Sequence, residues 1–223
     1  MDGLRYYLDF ISPYAYLGWP QARALAERCG LELRPVPVLF AAMLDAYGHK
    51  GPAEIEPKRI YTFKHVTRLA HELGVPLRPP PAHPFNPLLA LRIASLPRLT
   101  AAERLQVIDA LYELVWAKGE GATDPVVVTR ALEAAGLPGA AAMVTDAGTP
   151  EAKERVRKQT EDALARGVFG VPTFEVERTG EIFWGQDSIP HVERHLAGED
   201  PVTAEWLEQW KGLPKAAVRP GSR

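Results

Sequence analysis

One cysteine, Cys29, stands among 223 residues, so the chain can close no disulfide within itself. Any thiol chemistry beyond that single sulfur must come from a partner or a cofactor. Charge of one sign is also missing: 26 Lys and Arg against 28 Asp and Glu leave a formal −2. No bulk field therefore draws the chain to nucleic acid or to an acidic membrane surface. Apolar runs are too short to cross a bilayer, so no membrane association is expected. The N-terminus enters a strand pattern without a basic region, an apolar stretch or a cleavage site, and a cytoplasmic protein is expected. His71-Glu72 begins like a zinc-protease motif, but Gly74-Val75 follows where a second histidine is required. His191 and His195 have helical spacing but no third ligand, so they read as a solvated face and no metal is expected. Cys29 reads as a small buried residue, with nothing cationic beside it to activate the thiol. No internal repeat is present.

What remains is an ordinary globular composition, 46% hydrophobic and 24% charged, with 21 prolines spread as punctuation between elements. Leu4 to Ile11 is apolar apart from Arg5 and Asp9, as a strand covered on both faces would be. Pro13 to Cys29 carries apolar residues near helical spacing, and Gly30 is a stop. Leu31 to Val36 reads as a second strand, completing a β-α-β unit. From Phe40 to about Arg166 nearly every segment reads as helix. Thr100-Ala101-Ala102-Glu103 fits a capping box, while Asp124-Pro125 and Thr149-Pro150 place a cap before a first-turn proline. Pro57 to Leu73 is a basic helix, and "PLRPPPAHPFNP" after it is a stiff loop. Strand signals return at Val171–Val176 and Glu181–Trp184 around Arg178-Thr179-Gly180, a hairpin. Asp187-Ser188 opens a short helix. Asp200-Pro201 starts an amphipathic tail helix, whose Trp206 and Trp210 are expected to dock on their own domain or on a second subunit.

Three stretches carry candidate chemistry. "DFISPYAYLGWPQ", residues 9–21, puts a hydroxyl at the end of the first buried strand and at the start of the next helix. Ser12 before Pro13 fits a helix cap. The same place suits an anion such as a thiolate, since ligands gather at the carboxyl ends of parallel strands and helix N-termini favour negative charge. The two roles are compatible. In "GVFGVPTFEV", residues 167–176, Pro172 is either an edge-strand proline or a cis proline that exposes the Val171 backbone to an extended ligand. In "FWGQDSIPHVERHL", residues 183–196, Asp187 and Ser188 either cap a helix or hold an amino-acid head group.

Together, "YYLDFISPYAYL", "FGVPTF" and "WGQDSIPHVERHL" resemble the 2-hydroxychromene-2-carboxylate isomerase family, which is similar to kappa-class glutathione transferases and distantly to DsbA. "YGHKGPAEIEPKRIY" and "PAHPFNPLLALR" extend the resemblance, which reaches to about Leu196. It implies an α/β fold: a thioredoxin-like domain with an inserted all-helical domain. The expected boundaries are 1–39 and 167–198 for the discontinuous thioredoxin-like domain, 40–166 for the insertion and 199–223 for the C-terminal helix and tail.

The resemblance also implies a cofactor, glutathione or another low-molecular-weight thiol. Ser12 would donate a hydrogen bond to its sulfur and be the catalytic residue. The segment Ser12-Pro13-Tyr14-Ala15, lacking cysteine, excludes dithiol redox chemistry there. Val171 would pair with the cysteinyl part of the thiol cofactor and Pro172 would be cis. Trp184, Gly185, Gln186, Asp187 and Ser188 would surround the γ-glutamyl group. Lys58 and Arg59 would take a substrate carboxylate. His49 and Phe85 fall at substrate-binding positions where relatives carry Asn and a substrate-contacting Tyr, which leaves the exact substrate open. The implied reaction is cis-trans isomerisation of a small aromatic hydroxy-keto acid. The alternatives are conjugation or peroxide chemistry on another electrophile, or thiol binding without catalysis. Related proteins are often dimers, and a homodimer is compatible with the resemblance.

Overall fold

The computed structural model describes residues 2–214 and 217. Strand β1 (Gly3–Leu8) runs parallel to β2 (Glu32–Pro37), which requires a crossover, and helix α1 (Pro13–Arg28) supplies it. β3 (Thr173–Val176) lies antiparallel on the other side of β1, and β4 (Glu181–Trp184) antiparallel beside it, giving the sheet order β2-β1-β3-β4. The first strand ends at Leu8 and not at Ile11 as expected. Phe10 and Ile11 turn away, closed by the Ser12 N–H donating to Asp9 O at 3.1 Å.

Between β2 and β3 come α2 (Phe40–Tyr47), α3 (Glu56–Leu73), α4 (Leu88–Ala94), α5 (Ala101–Tyr112), α6 (Pro125–Ala134), α7 (Ala140–Asp146) and α8 (Pro150–Ala165). Within this segment each expected capping side chain is in place: Thr100 with Glu103 on α5, Asp124 on α6 and Thr149 on α8. A five-residue π-helical turn, Glu113–Ala117, continues α5. After the sheet come α9 (Ile189–Leu196) and α10 (Ala204–Lys211).

Alternation along β1 divides the core between the two faces of the sheet. Leu4, Tyr6 and Leu8, all fully buried, join one apolar cluster with α1, α4, α5 and Trp116. Tyr7 points to the other face, with Val38, Met43, Ala163, Val168 and Val171. Gly18 allows α1 to sit close to the sheet, since a Cβ there would lie 2.6 Å from the Tyr6 hydroxyl oxygen. That hydroxyl donates to Ala15 O at 2.8 Å.

Three further expectations fail. Cys29 is exposed, because it caps the solvent end of α1 just before Gly30 turns the chain at φ +64°. Thr203, not Asp200, caps the tail helix: the Asp200 carboxylate is already held by the Val202 N–H and His195 Nδ1. Of the two docking places expected for the tail helix its own domain is not used, since Trp206 and Trp210 are exposed and pair with each other at 5.3 Å between ring centroids. His195 is mostly covered, with Nε2 2.9 Å from the Thr179 hydroxyl, and is no simple solvated residue. Of the expected tail, residues 215, 216 and 218–223 lie outside the described residues.

Candidate active site

Sheet register brings three of the singled-out stretches to one end of the fold. Tyr7 stands opposite Thr173, and Thr173 opposite Trp184. The residues after β1, before β3 and after β4 are therefore neighbours. Ser12 is nearly buried, with extended backbone at φ −90° and ψ 114°, and its Oγ accepts the Ala15 N–H at 3.1 Å. That is the cap. The hydroxyl proton itself goes to no acceptor among the described residues.

Across the sheet the Val171–Pro172 peptide is cis. Pro172 O accepts the Gly185 N–H at 2.9 Å, while neither backbone group of Val171 is hydrogen-bonded among the described residues. Trp184 is half exposed and packs on Phe169 at 5.3 Å between centroids. Gly170 makes room for it, since a Cβ there would lie 2.8 Å from the indole nitrogen. Gly185 has φ +97°, a region that favours glycine, and its missing Cβ lets the Asp187 carboxylate fold back over it. Asp187 is exposed. Gln186 accepts from the Gln21 amide at 3.2 Å, tying this segment to α1. The Ser188 hydroxyl already donates to Gly185 O at 2.7 Å, so toward a ligand it has only a lone pair to offer.

The loop carrying Ser12 is held from beneath. Asp9 is fully buried, with Oδ1 3.1 Å from the Ile11 N–H and Oδ2 2.9 Å from the Phe40 N–H at the start of α2. Burial pushes its carboxyl up to about 7, against the opposing pull of those N–H groups. Trp116, on the π-turn, donates Nε1–H to Phe10 O at 2.9 Å. His83 Nε2 lies 3.0 Å from Ile11 O. A carbonyl oxygen only accepts, so Nε2 carries the hydrogen. The other ring nitrogen, Nδ1, is buried without a partner. Burial holds this imidazole below its usual value against the opposing hydrogen bond to Ile11 O, and nearby Arg59 adds to the lowering.

Helix α3 forms the facing side. Tyr14, two residues after Ser12, sets its hydroxyl 2.9 Å from His65 Nδ1, and His65 stacks on Tyr61. Burial, followed by Tyr61, raises the Tyr14 phenol. At the first turn of α3, Lys58 is exposed with no ion pair among the described residues. Arg59 lies over Phe63 at 5.6 Å and reaches His83 O at 3.5 Å. Phe63 and Phe85 flank the His83 ring at 5.2 and 6.3 Å. Arg59 and Phe85 are thus brought together through His83. His49 is exposed just beyond α2, beside Tyr47, and shares no hydrogen bond or ring contact with them among the described residues.

Sequence reasoning misses the roles of His83, Trp116, Tyr14 and His65. "PAHPFNP" is legible as a motif, but nothing local says that its histidine meets a carbonyl 72 residues earlier.

A family model for the DSBA-like thioredoxin domain matches residues 4–197. The chain belongs to that family. Within it, the chain is similar to 2-hydroxychromene-2-carboxylate isomerase of Sphingobium xenophagum, 30% identical over 195 residues, covering 86% of this chain and 96% of the relative. It is 26% identical to glutathione S-transferase kappa 1 of Homo sapiens, over 86% of this chain and 89% of the relative. A solved 2-hydroxychromene-2-carboxylate isomerase superposes with a TM-score of 0.78 at 25% identity, covering 87% of this chain and 94% of that one. The family resemblance and the thioredoxin-like α/β fold expected from the residues both hold. In this DSBA-like chain Ser12–Ala15 contains no cysteine, and Cys29 lies at the other end of α1, so the site holds no dithiol.

No group of three metal-ligating side chains occurs among the described residues, and no described helix is long and apolar enough to cross a membrane. Two surface hollows of about 340 Å³ lie elsewhere, one beside Asn86 and Arg92, the other between Trp19 and Pro76. Neither contains Ser12 or the unpaired Val171 backbone. Convergence of uncommitted polar groups, not hollow size, is what marks the sheet end as the candidate site.

Proposed function

We propose that this protein is a thiol-dependent isomerase, using glutathione or another low-molecular-weight thiol to interconvert the cis and trans forms of an aromatic hydroxy-keto acid. One observation carries the reading: among the described residues Ser12 accepts the N–H of Ala15 yet keeps its own proton uncommitted, at a helix N-terminus and at the same end of the sheet as the unpaired Val171 backbone. A free thiol with a pKa near ~8.5 is only a few per cent ionised at neutral pH. A hydroxyl donor and a helix N-terminus both stabilise the anion, so they raise the thiolate fraction.

Val171 would then pair its N–H and C=O with the cysteinyl unit, as an added strand does, beside Pro172. Trp184, Gly185, Gln186, Asp187 and Ser188 would surround the γ-glutamyl end, with Asp187 taking its ammonium group. Lys58 and Arg59 would hold the substrate carboxylate, and Phe85 and His49 would contact the rest of the molecule. When bound, the thiol would supply a sulfur nucleophile that adds to and leaves the conjugated double bond, allowing rotation with no net gain of proton or electron. Ser12 would hold the sulfur as its anion before addition and after release, and Lys58 and Arg59 would keep the acid in place.

Relatives of the isomerase and transferase kinds both span most of the chain, so conjugation to an electrophile is the second reading. Calorimetry with glutathione tests the shared step. Wild type should bind with release of a proton near neutral pH, and Ser12→Ala should lose that release. Absence of binding at millimolar glutathione would remove this cofactor. Loss of ~1 kcal/mol of stability in Ser12→Ala with unchanged proton release would leave Ser12 as a cap alone.

A further inference from the structure

The loop between β1 and α1 has two consecutive carbonyls, Phe10 O and Ile11 O, immediately before Ser12. Neither is bonded within the sheet or within α1. Both are taken by side-chain donors from the helical segment between β2 and β3: Trp116 Nε1–H at 2.9 Å and His83 Nε2–H at 3.0 Å. These donors come from separate places, the π-turn after α5 and the proline-rich loop before α4. They also support each other, with ring centroids 5.8 Å apart, and the Trp116 carbonyl accepts the Arg78 N–H at the start of that loop. Trp116 is fully buried. A π-turn breaks helical register, and such turns gather at functional sites; this one carries the indole that reaches the Ser12 loop.

We propose that His83 and Trp116 are positioning residues for Ser12, a two-donor clamp through which the helical segment sets the orientation of the thiolate-stabilising hydroxyl. The inference rests on the thiolate reading given above. Its physical basis is geometric. A hydroxyl stabilises a sulfur anion only when its O–H points along the hydrogen-bond direction, and a displacement of about 1 Å in the group that carries it can cost about a hundredfold in catalysis. With Phe10 O and Ile11 O pinned, and the Ile11 N–H taken by Asp9, the peptide planes leading into Ser12 cannot rotate. Because Phe63 and Phe85 flank the His83 ring and Arg59 reaches the His83 carbonyl, a substrate seated on them would press on the clamp directly.

The test measures the thiolate fraction of bound glutathione by its ultraviolet absorbance, with S-methylglutathione as a probe of the site that has no proton to lose. Three variants suffice: His83→Leu removes the donor at similar volume, His83→Gln returns an amide N–H at the reach of Nε2, and Trp116→Phe removes the indole N–H. His83→Leu and Trp116→Phe should each lower the thiolate fraction at neutral pH by about three- to tenfold. Their S-methylglutathione affinity should stay within about twofold of wild type, and His83→Gln should recover most of the thiolate. Should Trp116→Phe fail to fold, the histidine pair decides alone. A wild-type thiolate fraction in His83→Leu overturns the clamp, as does His83→Gln behaving like His83→Leu. An equal loss of affinity for both ligands also overturns it, since that reports disruption of the whole site. Absence of extra thiolate in wild type would instead overturn the thiolate reading itself, and the clamp with it.

Discussion

Asp9 ends β1 with a carboxylate sealed from water, and that burial has a measurable signature. Its folded-state carboxyl is raised to about 7, whereas an unfolded aspartate titrates near ~3.9. The folded protein therefore binds this proton more tightly than the unfolded chain does. Stability from this group is fully present below about pH 4 and is lost as pH rises to about 7. Asp9→Asn should flatten that slope, which in wild type reaches at most ~1.4 kcal/mol for each pH step of one between those limits; denaturant melts across pH 4–8 would read it. A slope unchanged in Asp9→Asn would mean that another group governs the profile. Glu175 offers a second test. It is buried on β3 among the Tyr7 hydroxyl at 2.5 Å, Arg5 at 2.7 Å and Arg166 at 3.2 Å. Glu175→Leu leaves those donors facing an apolar group and should cost about 3 kcal/mol in an unfolding titration. At this scale the Ser12 cap is legible in the sequence because capping is decided by four consecutive residues. His83 is not, because its partner is a backbone oxygen far away in sequence.

Helix ends are most legible where side chain and backbone satisfy each other locally. Thr100 and Glu103 form a reciprocal box at the start of α5, with Thr100 N–H to Glu103 Oε2 at 2.8 Å and Glu103 N–H to Thr100 Oγ1 at 3.2 Å. Thr100→Ala should lower thermal stability by about 1 kcal/mol while leaving glutathione binding untouched, because the Thr100 side chain is bonded only to Glu103 among the described residues. A larger loss would mean that the end of α5, which carries the π-turn, depends on its beginning. The same rule misleads at the tail: Asp200-Pro201 has the right residue types, but His195 competes for the carboxylate, and Thr203 caps α10 instead. The strand at Leu4–Ile11 reads too long because Phe10 is as apolar as a strand residue. It is buried, but against the aromatic ring of Tyr112 and under the Trp116 donor, not within the sheet.

On the scale of the whole molecule, the order β-α-β, helices, β-β-α is enough to anticipate which stretches meet. Parallel and antiparallel pairing around β1 forces the ends of β1 and β4 and the start of β3 to one side. Packing between the helical segment and that side is a different matter. It depends on where a π-turn and a proline-rich loop come to rest, and no periodicity in the sequence encodes that. One apolar cluster runs without a break from Leu4 and Leu8 through Trp116 to Val128 and Met143, so most of the helices share one interior with one face of the sheet. Cooperative unfolding in one transition follows, and calorimetry with two resolved peaks would contradict it.

The lone cysteine, exposed at the foot of α1, makes the molecule singly addressable. A maleimide dye would attach at Cys29 and nowhere else, one sixteen-residue helix from Ser12, about 24 Å away. The same thiol sets a trap for assays. Oxidised glutathione can cap Cys29 as a mixed disulfide, and a mass increase on the protein would then report surface chemistry instead of turnover. Cys29→Ser is accordingly the background in which every thiol experiment on this protein belongs.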